Sequence, residues 1–210
     1  MYLVKTPPLI KTIFSDLVWN IDTNDKKVFI TFDDGPIPEL TPWVLDVLQD
    51  YGFTATFFCV GDNVKKYPHL HDRILSECHS VGNHTFNHLN GWNTDNEDYI
   101  SNVALCDMYV ASNLFRPPYG KLKPGQSQVI KQDKTIVMWD VLSGDFDVNI
   151  SEEKCLSNVM NNYKPGSIIV FHDNVKAEKK LKYVLPLFLK ELAENGFVSE
   201  SLECLVPAYA

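Results

Sequence analysis

Ile30-Thr31-Phe32-Asp33-Asp34-Gly35-Pro36 is the stretch around which the chain is organised. It joins an apolar, β-forming run beginning at Val28 to a Gly-Pro turn. It therefore reads as a first strand, over about 27–32, that runs into two adjacent carboxylates. Inside a strand, neighbouring side chains point to opposite faces. At the strand's end the chain is already turning, so both carboxylates can serve one site. Burying such a pair is costly without a partner cation. Taken alone, Asp-Asp-Gly also reads as an Asx turn with solvated carboxylates, so the rest of the chain must decide.

Downstream, apolar Trp43, Val44, Val47 and Leu48 mark a helix over Leu40–Tyr51 that stops at Gly52. Thr54–Val60 is a near-continuous apolar run, the pattern of a strand buried on both faces. A helical region runs to about Cys78, followed by a strand over Val81–His84 and a helix over Asn96–Asn113. Leu114–Arg116 is extended into Pro117-Pro118, because a residue before proline avoids the α region. Lys123–Gln132 is weakly helical, and Thr135–Val141 reads as a strand. Ser151–Tyr163 reads as a helix with a capping signal at Ser-Glu-Glu. Ser167–Phe171 is a strand, Glu178–Asn195 a helix ended by Gly196, and Phe197–Leu202 the last strand. Seven strands alternating with helices imply an α/β fold with a parallel sheet and right-handed crossovers. The chain is short for eight full βα units, and no glycine-rich nucleotide loop comes after the first strand. An incomplete barrel with parallel strands is therefore expected, as a single domain over 27–210. Residues 1–26 read as an N-terminal extension. Within it Leu9, Ile10, Ile13, Phe14, Leu17 and Val18 predict a short helix docked on the body; a membrane-surface anchor would want a basic polar face that is not there.

Composition narrows the function. With 45% apolar residues the chain of 210 is globular. A net charge of −8 argues against a nucleic-acid partner. Cys59, Cys78, Cys106, Cys155 and Cys204 are odd in number and form no CxxC pair, so they are expected as free thiols in a reducing compartment. No secretory signal or membrane-length apolar run of roughly 20 residues is visible. The expected location is thus cytoplasmic, although trimming an export segment would leave the same pattern. No pattern speaks to oligomeric state.

In a barrel of this kind, chemistry collects at the C-terminal ends of the strands. Asp33 and Asp34, His84, Arg116, Asp145 and His172 all fall at or just past predicted strand ends. His84 and His88, four apart, would share one face of a helical turn and could hold one cation. A carboxylate from the leading pair would complete a His-His-Asp site with a position left for water, its neighbour remaining free as a base. Water on such an ion has its pKa lowered to about 7, and hydrolysis of an amide or ester then needs a base and an acid. His172 suits the acid, with Asp145 raising its pKa. The fork of Arg116 can hold a carboxylate ionised. Singly, each of these residues also has a structural reading, as a surface cation, a turn aspartate or a satisfied histidine.

Together the motifs resemble those of the polysaccharide deacetylases of carbohydrate esterase family 4, with the NodB homology domain. The matching segments are Thr31-Phe-Asp-Asp-Gly35, His84-Thr-Phe-Asn-His88, Arg116-Pro-Pro-Tyr-Gly120, the Trp139–Phe146 segment and Val170-Phe-His172. The resemblance implies a distorted (β/α)7-type barrel and a divalent metal, Zn2+ or alternatively Co2+ or another ion, on Asp34, His84 and His88. It implies Asp33 as catalytic base tethered by Arg116, His172 as general acid tuned by Asp145, and the Tyr119 backbone N–H as oxyanion contact. Phe146 and Val170, with Tyr119 and Trp139, would bind the substrate around its acetyl group. The implied reaction removes N-acetyl groups from N-acetylglucosamine-containing glycans of the peptidoglycan or chitin type. Alternatives are deacylation of a smaller or lipid-linked sugar or of acetyl esters such as those of xylan, and glycan binding without turnover. One departure stands out: Asp145-Phe146 occupies a motif that usually reads Asp-Trp, so an indole N–H is missing. Trp92 and Lys176 are further residues that could touch a sugar.

Overall fold

β1 (Lys27–Asp33) lies inside a curled parallel sheet. The computed structural model describes residues 2–205. The other strands are β2 (Thr56–Cys59), β3 (Ser80–Asn83), β4 (Leu114–Phe115), β5 (Thr135–Ile136), β6 (Val141–Leu142), β7 (Ile168–His172) and β8 (Val198–Ser199). The order across the sheet is β5-β4-β3-β2-β1-β7-β6, every ladder is parallel, and β8 adds to the start of β1. The helices are α1 (Pro8–Ile13), α2 (Thr41–Asp50), α3 (Gly61–Lys66), α4 (Pro68–Ser76), α5 (Asn96–Asp107), α6 (Pro124–Ile130), α7 (Glu152–Met160) and α8 (Glu178–Glu194). None of them is long and apolar enough to cross a membrane. The result is the incomplete parallel barrel expected from the alternation of elements, of the (β/α)7 type that the resemblance implies.

Strand alternation sorts β1 between two environments. Val28, Ile30 and Phe32 pack with residues of α2 and α8, including Leu45, Leu48, Leu185 and Phe188. Phe32 stacks on Phe57 at 5.0 Å and on Phe171 at 6.0 Å, all three rings being buried. Burying each such ring is worth roughly 1.5–3 kcal/mol, so this face anchors the strand. Phe29, Thr31 and Asp33 take the opposite face, which positions the site.

Four features depart from the sequence reading. The region to Cys78 forms two helices, because Tyr67 leaves the helical region (φ −128°) and Pro68 restarts at the first position of α4. The helix predicted over Asn96–Asn113 stops at Asp107. Thr135–Val141 splits into β5 and β6, so eight strands form. The reason is Arg116, whose guanidinium takes the carbonyls of Val137 (3.2 Å) and Met138 (3.0 Å) that a continuous ladder would use. Finally, α1 buries none of its residues, and Leu9, Ile13 and Phe14 are 70%, 63% and 50% exposed.

The N-terminal segment is held instead by backbone pairing, by polar contacts and by Leu17, Val18, Trp19 and Ile21, which pack partly buried against the core. Among the described residues no ladder joins β5 to β6, and the segment occupies the edges they leave. Val18 accepts from Met138 N–H (2.7 Å) and donates to Ile136 (3.0 Å). Beside β6, Thr6 donates to Asp140 (2.9 Å) and Val4 accepts from Leu142 N–H (2.8 Å), with Lys5 antiparallel to Val141. The buried Asp140 carboxylate accepts from Lys5 (2.5 Å), Lys11 (2.5 Å) and Ser167 (2.6 Å). Of the cysteines, Cys59, Cys106 and Cys155 are buried free thiols and Cys78 is an exposed one; the side chain of Cys204 lies outside the described residues.

Candidate active site and metal centre

Asp34 comes directly after β1 with φ 83°, a left-handed conformation that turns its carboxylate back over the strand end. His84 comes directly after β3. His88 lies four residues on in a loop, not on a helical turn: Thr85 (φ 61°) and His88 (φ 54°) both bend the chain the other way. Asn102 on α5 fixes this loop by accepting the N–H groups of Phe86 (2.9 Å) and Asn87 (3.0 Å) with its side-chain oxygen. The two imidazoles still converge, their centroids 5.1 Å apart. Asp34 Oδ1 lies 2.9 Å from His88 Nε2 and 3.5 Å from His84 Nε2, and one ligand atom from each of the three residues falls within 4.8 Å of the others.

These residues fit a divalent cation on three counts. Asp34 Oδ1 is buried and accepts no hydrogen bond of ordinary geometry. His84 Nδ1 lies 2.7 Å from the Arg116 carbonyl oxygen, an acceptor only, so Nδ1 carries a proton and Nε2 is the ring nitrogen turned to Asp34 and available to a metal. The donors, imidazole nitrogen and carboxylate oxygen, suit zinc and related ions. Burial raises the Asp34 pKa, but the facing His84 and His88 imidazoles outweigh it and hold the carboxyl well below its usual range. The other oxygen, Oδ2, accepts from Asn174 Nδ2 at 2.5 Å, and Asn63 Nδ2 donates to the Asp34 carbonyl at 2.7 Å.

Asp33 faces the barrel interior, where Arg116 Nη1 donates at 2.7 Å to Asp33 Oδ1 and at 2.7 Å to Thr31 Oγ1. Arg116 is fully buried, its guanidinium 4.0 Å from the Phe58 ring centroid. Across the cavity, both oxygens of buried Asp145 accept from His172, one from its backbone N–H (2.7 Å) and one from Nδ1 (2.8 Å). Burial works against protonated His172. The Asp145 carboxylate, reinforced by the Asp34 and Asp33 charges, outweighs it and raises the imidazole to about 9. The Phe146 ring meets His172 edge-on at 5.0 Å, and the Tyr119 ring meets His88 likewise at 4.7 Å. Tyr119 has φ 61°, and its backbone N–H donates no hydrogen bond among the described residues.

One cavity of about 740 Å³ joins these groups. Asp33, Asp34, His84, His88, Tyr119, Trp139, Phe146, Val170 and His172 line it, as does Lys176. Arg116 and Asp145 stand behind the wall and act through their neighbours. Trp92 is not among the lining residues; its exposed ring carries the Lys121 ammonium at 5.2 Å. The sequence reading missed Asn174 and Asn63, which orient Asp34, and Asp173, which accepts from Gly35 N–H (3.0 Å) and Thr41 Oγ1 (2.5 Å). The polar run His172-Asp173-Asn174 after an apolar strand was the available signal for two of them. It also missed Tyr2, for which local sequence carries no signal.

The sequence model described as polysaccharide deacetylase matches residues 20–135. The chain belongs to this family. It is 34% identical over 188 residues to a peptidoglycan-N-acetylglucosamine deacetylase of Bacillus cereus, covering 86% of this chain and 88% of the relative. It is also 34% identical to a chitooligosaccharide deacetylase of Azorhizobium caulinodans, over 87% of this chain and 95% of the relative. Among solved structures, this polysaccharide deacetylase fold superposes with TM-score 0.84 on the Bc1960 peptidoglycan N-acetylglucosamine deacetylase in complex with 4-naphthalen-1-yl-N-oxidanyl-benzamide. That match is 28% identical and covers 97% of this chain and 99% of the other.

Proposed function

We propose that this chain is a metal-dependent hydrolase that removes N-acetyl groups from N-acetylglucosamine-containing glycans. The observation that carries the reading is that one cavity holds the Asp34–His84–His88 ligand set with Asp33 and His172, which Arg116 and Asp145 pair with from behind the wall. The names of the relatives support the substrate class. Asp34, His84 and His88 are the metal ligands in this reading, with Zn2+ the preferred ion and Co2+ a substitute. When bound, such an ion supplies Lewis acidity, lowering the pKa of water to about 7 and polarising a carbonyl.

The residues of the chain do the rest. Asp33, kept oriented by Arg116, whose guanidinium Thr31 helps to hold, takes the proton of the attacking water. The Tyr119 backbone N–H points its dipole at the oxygen on which negative charge develops. His172, protonated at neutral pH, gives its proton to the departing sugar nitrogen. Asp145 fixes the imidazole so that Nε2 carries that proton into the cavity. Phe146, Val170 and Trp139 form an apolar wall for the acetyl methyl.

The test is acetate release from N-acetylglucosamine oligomers and from peptidoglycan, before and after chelation. The expected result is activity that chelation abolishes and Zn2+ or Co2+ restores. A protein carrying stoichiometric metal that releases acetate from neither glycan overturns the reading.

A further inference from the structure

Tyr2 lines the same cavity as Asp33, Asp34 and His172, although it precedes the family-matched residues 20–135 and no catalytic motif contains it. The backbone pairing of Lys5 with Val141, and of Val4 with Leu142, delivers it there alongside β6. Its ring lies 5.2 Å from that of Phe146, whose edge contact with His172 spans 5.0 Å. Its hydroxyl donates to Asp147 Oδ2 at 3.0 Å, so it also grips the loop that carries Asp145 and Phe146. Gly144 makes that grip possible. A Cβ there would meet the Tyr2 hydroxyl at 2.6 Å, and its φ of +78° also favours glycine. Phe146 thus contacts two rings, Tyr2 and His172.

We infer that Tyr2 is a specificity-determining residue that backs Phe146 and so limits the apolar end of the pocket to an acyl group of acetyl size. The inference rests on the deacylase reading above and extends it to a residue that sequence motifs do not reach. Removing the Tyr2 ring lets Phe146 retreat and admits a longer acyl chain. Phenylalanine at this position keeps the ring and loses only the bond to Asp147.

The test uses Zn2+-loaded protein tagged at its C-terminus, as wild type, Tyr2→Ala and Tyr2→Phe. Each is assayed on N-acetyl and N-butyryl chitopentaose, and the butyryl-to-acetyl ratio of kcat/KM is compared. This ratio does not depend on the fraction of protein that is correctly folded. In Tyr2→Ala it should rise at least about 10-fold, the discrimination a methylene commands in an apolar pocket, and in Tyr2→Phe it should stay within about threefold of wild type. An unchanged ratio in Tyr2→Ala, or an equal rise in Tyr2→Phe, overturns the inference. The same proteins are titrated calorimetrically with acetate and butyrate. A gain in relative butyrate affinity confined to Tyr2→Ala supports the role of Tyr2 even if neither glycan is turned over, in which case only the function proposed above fails. Equal relative affinities in all three proteins, or no binding of either carboxylate together with no turnover, overturn the inference.

Discussion

Asp33 and His172 are register partners, the last residues of the adjacent parallel strands β1 and β7. Register partners project from the same face. The proposed base and acid are therefore held by the sheet ladder itself, with their positioning partners behind them: Arg116 after β4 and Asp145 after β6.

The Asp145 contact gives His172 a sign and a window. Its folded pKa of about 9 stands above its ordinary value of about 6.5. The resulting stabilisation is present in full below pH about 6.5 and is lost as pH rises through about 9. The gap corresponds to a contribution on the order of 3 kcal/mol. Urea denaturation of the metal-free protein at pH 6 and pH 9.5 should show the loss, and Asp145→Asn should flatten it. In the holoenzyme, deacetylase activity should fall on the alkaline side, with the limb shifted to lower pH in Asp145→Asn. A wild-type stability that is flat across this range contradicts the coupling.

Arg116 and Asp33 should separate stability from chemistry. Arg116→Leu leaves a buried carboxylate unpaired and should cost about 3–5 kcal/mol, read as a drop in the urea midpoint. Asp33→Asn keeps the shape and should retain the metal while losing at least about 100-fold in kcat. Loss of metal along with rate in Asp33→Asn would mean that the two aspartates have exchanged roles.

Asn174 is the most direct test of ligand orientation. Asn174→Ala removes the hydrogen bond to Asp34 Oδ2 without touching a ligand. Affinity for Zn2+, measured by competition with a chromophoric chelator, should weaken about 10- to 100-fold, whereas His84→Ala should abolish stoichiometric binding. Unaltered affinity in Asn174→Ala speaks against Asp34 as a ligand.

The buried Asp140 ties down the N-terminal segment. Lys5 and Lys11 are partly exposed, which discounts their share. Asp140→Ala should cost roughly 1–3 kcal/mol through the unsatisfied lysines and the lost Ser167 bond. Hydrogen exchange should show the amides of Thr6 and Val18 opening before those of β1. Uniform protection across both regions contradicts a tethering role.

The strand-end polar residues were legible in sequence because a parallel barrel gathers the residues at and just past its strand ends, whatever their separation along the chain. Asp33, His84, Arg116 and His172 needed only correct strand ends. The features that were not legible depended on contacts without local periodicity. Nothing near Thr135–Val141 announces that Arg116, some twenty positions upstream, will take its carbonyls and break the strand. The His84–His88 spacing fits a helical turn, yet left-handed residues at Thr85 and His88 bring the rings together from a loop. Leu9, Ile13 and Phe14 have helical spacing and remain exposed, because β-type pairing and the Asp140 cluster hold the segment without them.

The most direct measurement is anomalous diffraction at the zinc edge from crystals of the Zn2+-loaded protein. One strong peak is expected about 2.0–2.2 Å from each of Asp34 Oδ1, His84 Nε2 and His88 Nε2. No peak between these three atoms in crystals of chelation-sensitive, active protein would contradict the assignment of the metal centre and the hydrolytic chemistry built on it.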